Sequence, residues 1–150
     1  MKSSDRIEKQ IVLRAPKARV WRALTDAGQF GTWFRVKLDS EFAVGKKVTG
    51  QMTYPGYEGM PFEATVERME PEALFSMRWV PDAVDPDVDY SNEPTTLVEF
   101  RLQEVSEGTL LTVTESGFDG IPAASRDKVF RGNEEGWALQ TQNIKAYVEG

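Results

Sequence analysis

Polar and apolar residues alternate from Arg6 to Arg14, with Ile7, Ile11 and Leu13 on one side and Glu8, Gln10 and Arg14 on the other. That is the pattern of a half-buried strand. Ala15-Pro16 ends it, because proline cannot extend a strand ladder but suits the first turn of a helix. A helix is predicted from about Pro16 to Thr25, where Val20, Trp21 and Leu24 recur at spacings of three and four. A second short helical turn follows around Gln29–Phe34. Alternation returns from Lys46 to Tyr54, with Val48, Met52 and Tyr54 on one face, and Pro55-Gly56-Tyr57-Glu58-Gly59 reads as a turn. Phe62, Ala64 and Val66 define the next strand, which ends at Glu70-Pro71-Glu72. Phe75, Met77 and Trp79 supply another inward set, then Val98, Phe100 and Leu102 within Thr96–Gln103. Ser106-Glu107-Gly108 reads as a hairpin, leading to Leu111, Val113 and, on the same parity, Glu115. Short turns between successive strands imply an antiparallel meander.

From Ala123 to Val148 the period becomes helical, with Val129, Asn133, Trp137, Thr141, Ile144 and Val148 as the inward stripe. Arg126, Lys128 and Glu134 are expected to face water. The order is strand, helices, about six strands, long helix, and an antiparallel sheet with its helices on one face is an α+β arrangement. The segment Pro81–Pro94, with Asp82, Asp85, Asp87, Asp89 and Glu93, has neither period and reads as a solvated loop.

The chain of 150 residues suits a single domain over 1–150. A chain of that size buries roughly 68–70% of its unfolded surface, enough for a core with a modest internal cavity. A net charge of −6 argues against nucleic acid as a partner. The first residues carry no apolar run, so a cytoplasmic protein without signal peptide or membrane insertion is expected. Cysteine and histidine are both missing, which removes thiol chemistry, Ser-His-Asp triads and His- or Cys-ligated metals. Catalysis would rest on carboxylates, Lys, Arg, Tyr or hydroxyls, and no cofactor or metal is implied. Asp85, Asp87 and Asp89 have the spacing of a calcium loop, but Tyr90 stands where glycine is needed and Thr96 where the bidentate glutamate belongs.

Four stretches carry a family resemblance: Ala18–Asp26 with Trp33-Phe34; Met69-Glu70-Pro71 through Leu74-Phe75 to Trp79; Thr112–Phe118; and Gly136-Trp137 running to Glu149. In this order they resemble the START-like (SRPBCC, birch-pollen-allergen-like) helix-grip superfamily. Within it the chain is most similar to the homologues of activators of the 90-kilodalton heat-shock protein ATPase. The resemblance implies a curved sheet of about seven strands gripping the C-terminal helix, two short helices after the first strand, and a pocket between sheet and helix. Relatives include lipid and hormone carriers, cyclase-like enzymes and stress-associated proteins. The eukaryotic activator resembles this chain only in its second half, so stimulation of a heat-shock ATPase by this chain alone is not expected.

The expected function is to hold a small apolar or amphipathic molecule in that pocket. Its predicted walls are Trp33, Phe34, Met52, Tyr54, Phe62, Met77, Trp79, Phe100, Val113, Phe130, Asn133 and Trp137, with Trp33 and Phe34 near one rim. Each aromatic is also a natural core residue. Glu115 points inward by parity, where desolvation would suit a general acid or base. It stands equally near a strand end, where solvent or Arg68 or Arg78 would satisfy it. Asn133 and Gln140 would orient a polar group or face bound water. An enzyme of cyclase or hydrolase type, with Glu115 and Tyr54 as its acid–base pair, is the second reading. A stress-response interaction module making chaperone contact is the third. The lack of a compact catalytic constellation favours binding over catalysis.

Overall fold

The computed structural model describes residues 6–81, 87 and 92–150. Strand β1 (Arg6–Leu13) alternates as predicted, with Ile7 and Leu13 buried. Pro16 then sits at the N-cap of α1 (Lys17–Thr25), whose Val20, Ala23 and Leu24 face the core. Asp26 separates α1 from α2 (Ala27–Phe34), and its side chain accepts from the Gln29 N–H at 3.0 Å, satisfying a donor of the first turn. Arg35 ends α2 in the left-handed conformation at φ 71°, its N–H bonded to the Gly31 carbonyl. That turn brings the Val36 carbonyl to within 2.3 Å of where a Cβ on residue 31 would stand, so glycine is required there.

The reversal at Arg35 creates a strand that alternation did not signal, β2 (Val36–Leu38), which is too short to display a period. It pairs with β3 (Lys47–Met52). The expected strand to Tyr54 stops two residues earlier, because Met52 and the Gly59–Met60 segment exchange backbone hydrogen bonds and close the 53–59 loop. The meander continues through β4 (Pro61–Glu70), β5 (Leu74–Trp79), β6 (Thr96–Val105) and β7 (Gly108–Ser116). All seven form one curved antiparallel sheet in the order β1-β7-β6-β5-β4-β3-β2. The first and last strands of the chain are thus neighbours, and β7 lies between the edge strand β1 and β6. Of the Pro81–Pro94 loop, Asp85 and Asp89 fall outside the described residues.

After a 3-10 turn at Phe118–Gly120, helix α3 (Ala123–Glu149) packs against β1, α1 and α2. Val129, Trp137, Thr141, Ile144 and Val148 are buried and Asn133 half-buried, the stripe the helical period predicts. Lys128 and Glu134 are exposed. Arg126 departs from expectation. It is half-buried, and its guanidinium donates to the carbonyls of Asp119 (3.1 Å) and Ile121 (3.0 Å), closing the 3-10 turn under the helix. The far end is tied down by Glu149, which accepts from the Arg14 N–H at 2.8 Å and pairs with Lys145 at 2.6 Å.

Candidate functional site

Along β7 the inward positions Leu111, Val113 and Glu115 lie on one face, and Glu115 sits opposite Ile7 on β1 and Val98 on β6. Both neighbours are core residues, so the register forces a carboxylate into the space between sheet and α3. Its exposure is 0%. It is neither solvated nor paired with arginine: Arg78 reaches Glu67 at 2.7 Å and Arg68 pairs with Glu70.

Four neutral side chains from three elements hold it. Trp79 Nε1 of β5 donates to Oε2 at 2.8 Å, and Thr96 Oγ1 of β6 to the same oxygen at 2.5 Å. From α3, Trp137 Nε1 donates to Oε1 at 2.8 Å, while Asn133 Nδ2 reaches both oxygens at 3.0 Å. The two indoles and the amide can only donate to the carboxyl oxygens through these nitrogens, and the Thr96 hydroxyl is within reach of the same oxygen. A buried ionised group without such partners is strongly unfavourable. Among the described residues no ion pair involves Glu115. The carboxyl is therefore held by side-chain N–H and O–H groups alone among the described residues, and it fastens the helix to two strands.

Rings surround this node. Trp79 and Trp137 stack with centroids 5.7 Å apart and planes 16° from parallel. Phe100 meets Trp137 edge-on at 5.7 Å, and Phe62 meets Trp79 edge-on at 5.9 Å. Phe34 lies within 6.3 Å of Trp137 and 6.2 Å of Trp79. Phe34, Phe62, Phe100, Trp137, Met77 and Val113 are buried; Trp79 and Asn133 are half-buried and form the solvent side.

The remaining predicted residues do not reach Glu115, and Trp33 and Phe34, expected near a rim, are buried and meet edge-on at 5.7 Å. Trp33 is buried and donates from Nε1 to the Ala23 carbonyl at 2.7 Å, turning its polar edge toward α1. Phe130 packs edge-on against Phe118 at 5.1 Å. Met52 and Tyr54 are half-buried; Tyr54 lies beyond β3, with its ring 6.1 Å from Tyr57 and 5.8 Å from the Arg35 guanidinium. It is not among the partners of Glu115. Gln140 donates to the Phe34 carbonyl at 3.0 Å and joins α3 to the end of α2. Thr96 is the partner of Glu115 that motif reasoning passed over, although its parity with Val98 and Phe100 carries the signal.

On the flank of α3 beside Asn133 and Trp137 are Gly132 and Gly136, and a Cβ built on either meets nothing within 4 Å. No packing demand explains them, and each costs about 1 kcal/mol of helix stability relative to alanine. They leave that flank bare next to two of the groups that hold Glu115.

A curved sheet gripping a long C-terminal helix, with polar and aromatic groups converging between them, defines a helix-grip protein. The chain belongs to the family described as Activator of Hsp90 ATPase homolog 1-like protein, which matches residues 14–149. Among solved structures it is similar to a protein from Mesorhizobium loti (24% identity, 96% of each chain covered, TM-score 0.77). It is also similar to a protein from Chromobacterium violaceum (21% identity, 99% of each chain, TM-score 0.76). A third is the Aha1 dimer from Colwellia psychrerythraea (17% identity, 96% of each chain, TM-score 0.70). At these identities the likeness is one of fold. No curated protein matches the chain. Among the described residues no helix is long and apolar enough to cross a membrane.

Proposed function

We propose that this protein, acting as a single START-like unit, binds a small amphipathic molecule between the sheet and α3. The ligand's apolar body would lie against Phe34, Phe62, Trp79 and Trp137, with its polar end at Glu115. The observation that carries this reading is the buried carboxylate held only by neutral donors, two of them half-buried, inside a box of rings. A site of that composition is what small-molecule binding uses: apolar walls with a few convergent polar groups.

Native mass spectrometry of protein purified from cells tests the proposal directly. A retained small molecule is expected, released by organic solvent, and its return should raise Tm with ligand concentration and give a negative heat-capacity change. A ligand-free protein, with no Tm response to a broad set of amphiphiles, would overturn the reading.

A further inference from the structure

Resting on the binding reading above, we infer that the polar end of the ligand is a hydrogen-bond donor, and specifically a protonated amine on an apolar body. The chemistry of the node decides this. Glu115 offers only acceptor oxygens, and its four partners are neutral: two indole N–H groups, one amide and one hydroxyl. A ligand carboxylate brought beside it would place two like charges together in a poorly screened space. A ligand cation would complete the missing half of an ion pair. The stacked faces of Trp79 and Trp137, 5.7 Å apart, with Phe34 and Phe62 beside them, attract the same sign of charge through their ring quadrupoles.

Two further features point the same way. The half-buried donor Asn133 spans both oxygens from the solvent side, so its amide is the one an incoming ammonium displaces. The bare Gly132–Gly136 flank leaves room beside it for the ligand's path. The chain also carries five acidic and no basic residues between Trp79 and Thr96, both of which hold Glu115. With the net charge of −6, this favours approach of cations over anions.

The test uses three probes of one chain length, decylamine, decanol and decanoic acid, below their micelle concentrations at neutral pH, with tryptophan emission and Tm as readouts. Decylamine is expected to bind about tenfold tighter than decanol, the gain of an ion pair over a hydrogen bond from an uncharged donor to the same carboxyl, and decanoic acid weakest. In Glu115→Gln the amine should lose that advantage while decanol binds nearly as before. Should this variant not fold, Asn133→Ala takes its place: removing a competing donor should tighten decylamine most, decanol less, and decanoic acid not at all. Decanoic acid binding as tightly as decylamine, or a ranking unmoved by the substitution, would overturn the amine assignment and leave the binding reading standing. Silence of the wild-type protein toward all three would overturn both.

Discussion

The core has two aromatic ends built from similar residues on different chemistry. At one end Phe30 is stacked on Phe34 at 4.8 Å and met edge-on by Trp33 at 5.0 Å and Phe42 at 5.3 Å, with Phe75 beyond Phe42. Its polar atom, Trp33 Nε1, is spent on a backbone carbonyl of α1. At the other end Trp79 and Trp137 turn their N–H groups onto a side chain, and that side chain carries a charge-bearing group. The first arrangement is complete in itself. The second gathers donors from β5, β6 and α3 around an acceptor that has no countercharge, and one of its rings remains half-exposed. Similar residue types thus make a core at one end and a candidate site at the other, and the direction of the indole N–H tells them apart.

Truncation at either end should give the largest effects. Phe30→Ala and Trp137→Ala should each lower stability by about 3–5 kcal/mol in urea unfolding, as deletion of a buried large aromatic does. Only Trp137→Ala should alter ligand response as well. Equal loss of binding in both would erase the distinction.

Removing polar groups separates the ends more sharply. Glu115→Leu leaves the Trp79, Thr96, Asn133 and Trp137 donors without their acceptor, at about 1–3 kcal/mol for each that stays buried and unpaired. Trp33→Phe breaks one neutral hydrogen bond and should cost about 1 kcal/mol. Chemical denaturation of both variants checks the order, and a reversed order would contradict the assignment of Glu115 as the node.

The glycines offer a smaller contrast. Gly136→Ala should stabilise by up to about 1 kcal/mol, raising Tm by roughly 2–4 °C, because nothing stands near its Cβ. Gly31→Ala should destabilise, since its Cβ runs into the Val36 carbonyl. The smallest effect is at the helix end. The hydrogen bond from Lys145, then that from the Arg14 N–H, holds the Glu149 carboxyl below its usual range. A depressed carboxylate contributes stability that is present above its unfolded pKa and lost as pH falls through the folded one. Glu149→Gln should therefore lower Tm slightly at neutral pH and leave the most acidic end of a Tm–pH profile nearly unchanged, flattening its acid limb.

The fold was legible because its signals are long: β1, β4 to β7 and α3 each run far enough to show a period. β2 was not, since three residues display no alternation and its existence depends on the left-handed turn at Arg35. At the site, parity correctly sent Glu115 inward, and the helical stripe correctly aligned Asn133 with Trp137. What the chain could not reveal was which donors meet across the meander. Trp79 and Thr96 are far from Glu115 in sequence, and their convergence follows from the β5-β6-β7 register and the placement of α3. Tyr54 went the other way, because a parity argument fails once the strand has ended at Met52. Arg126 shows a similar limit: helical period places it outward, and two turn carbonyls draw it back.

The most direct measurement follows the indole N–H resonances of the four tryptophans, Trp21, Trp33, Trp79 and Trp137, by NMR during titration with decylamine. The account predicts large shifts for Trp79 and Trp137, whose protons lie on Glu115, and little change for Trp33, whose proton lies on the Ala23 carbonyl. Shifts confined to Trp21 or Trp33, with Trp79 and Trp137 unmoved at saturation, would contradict it.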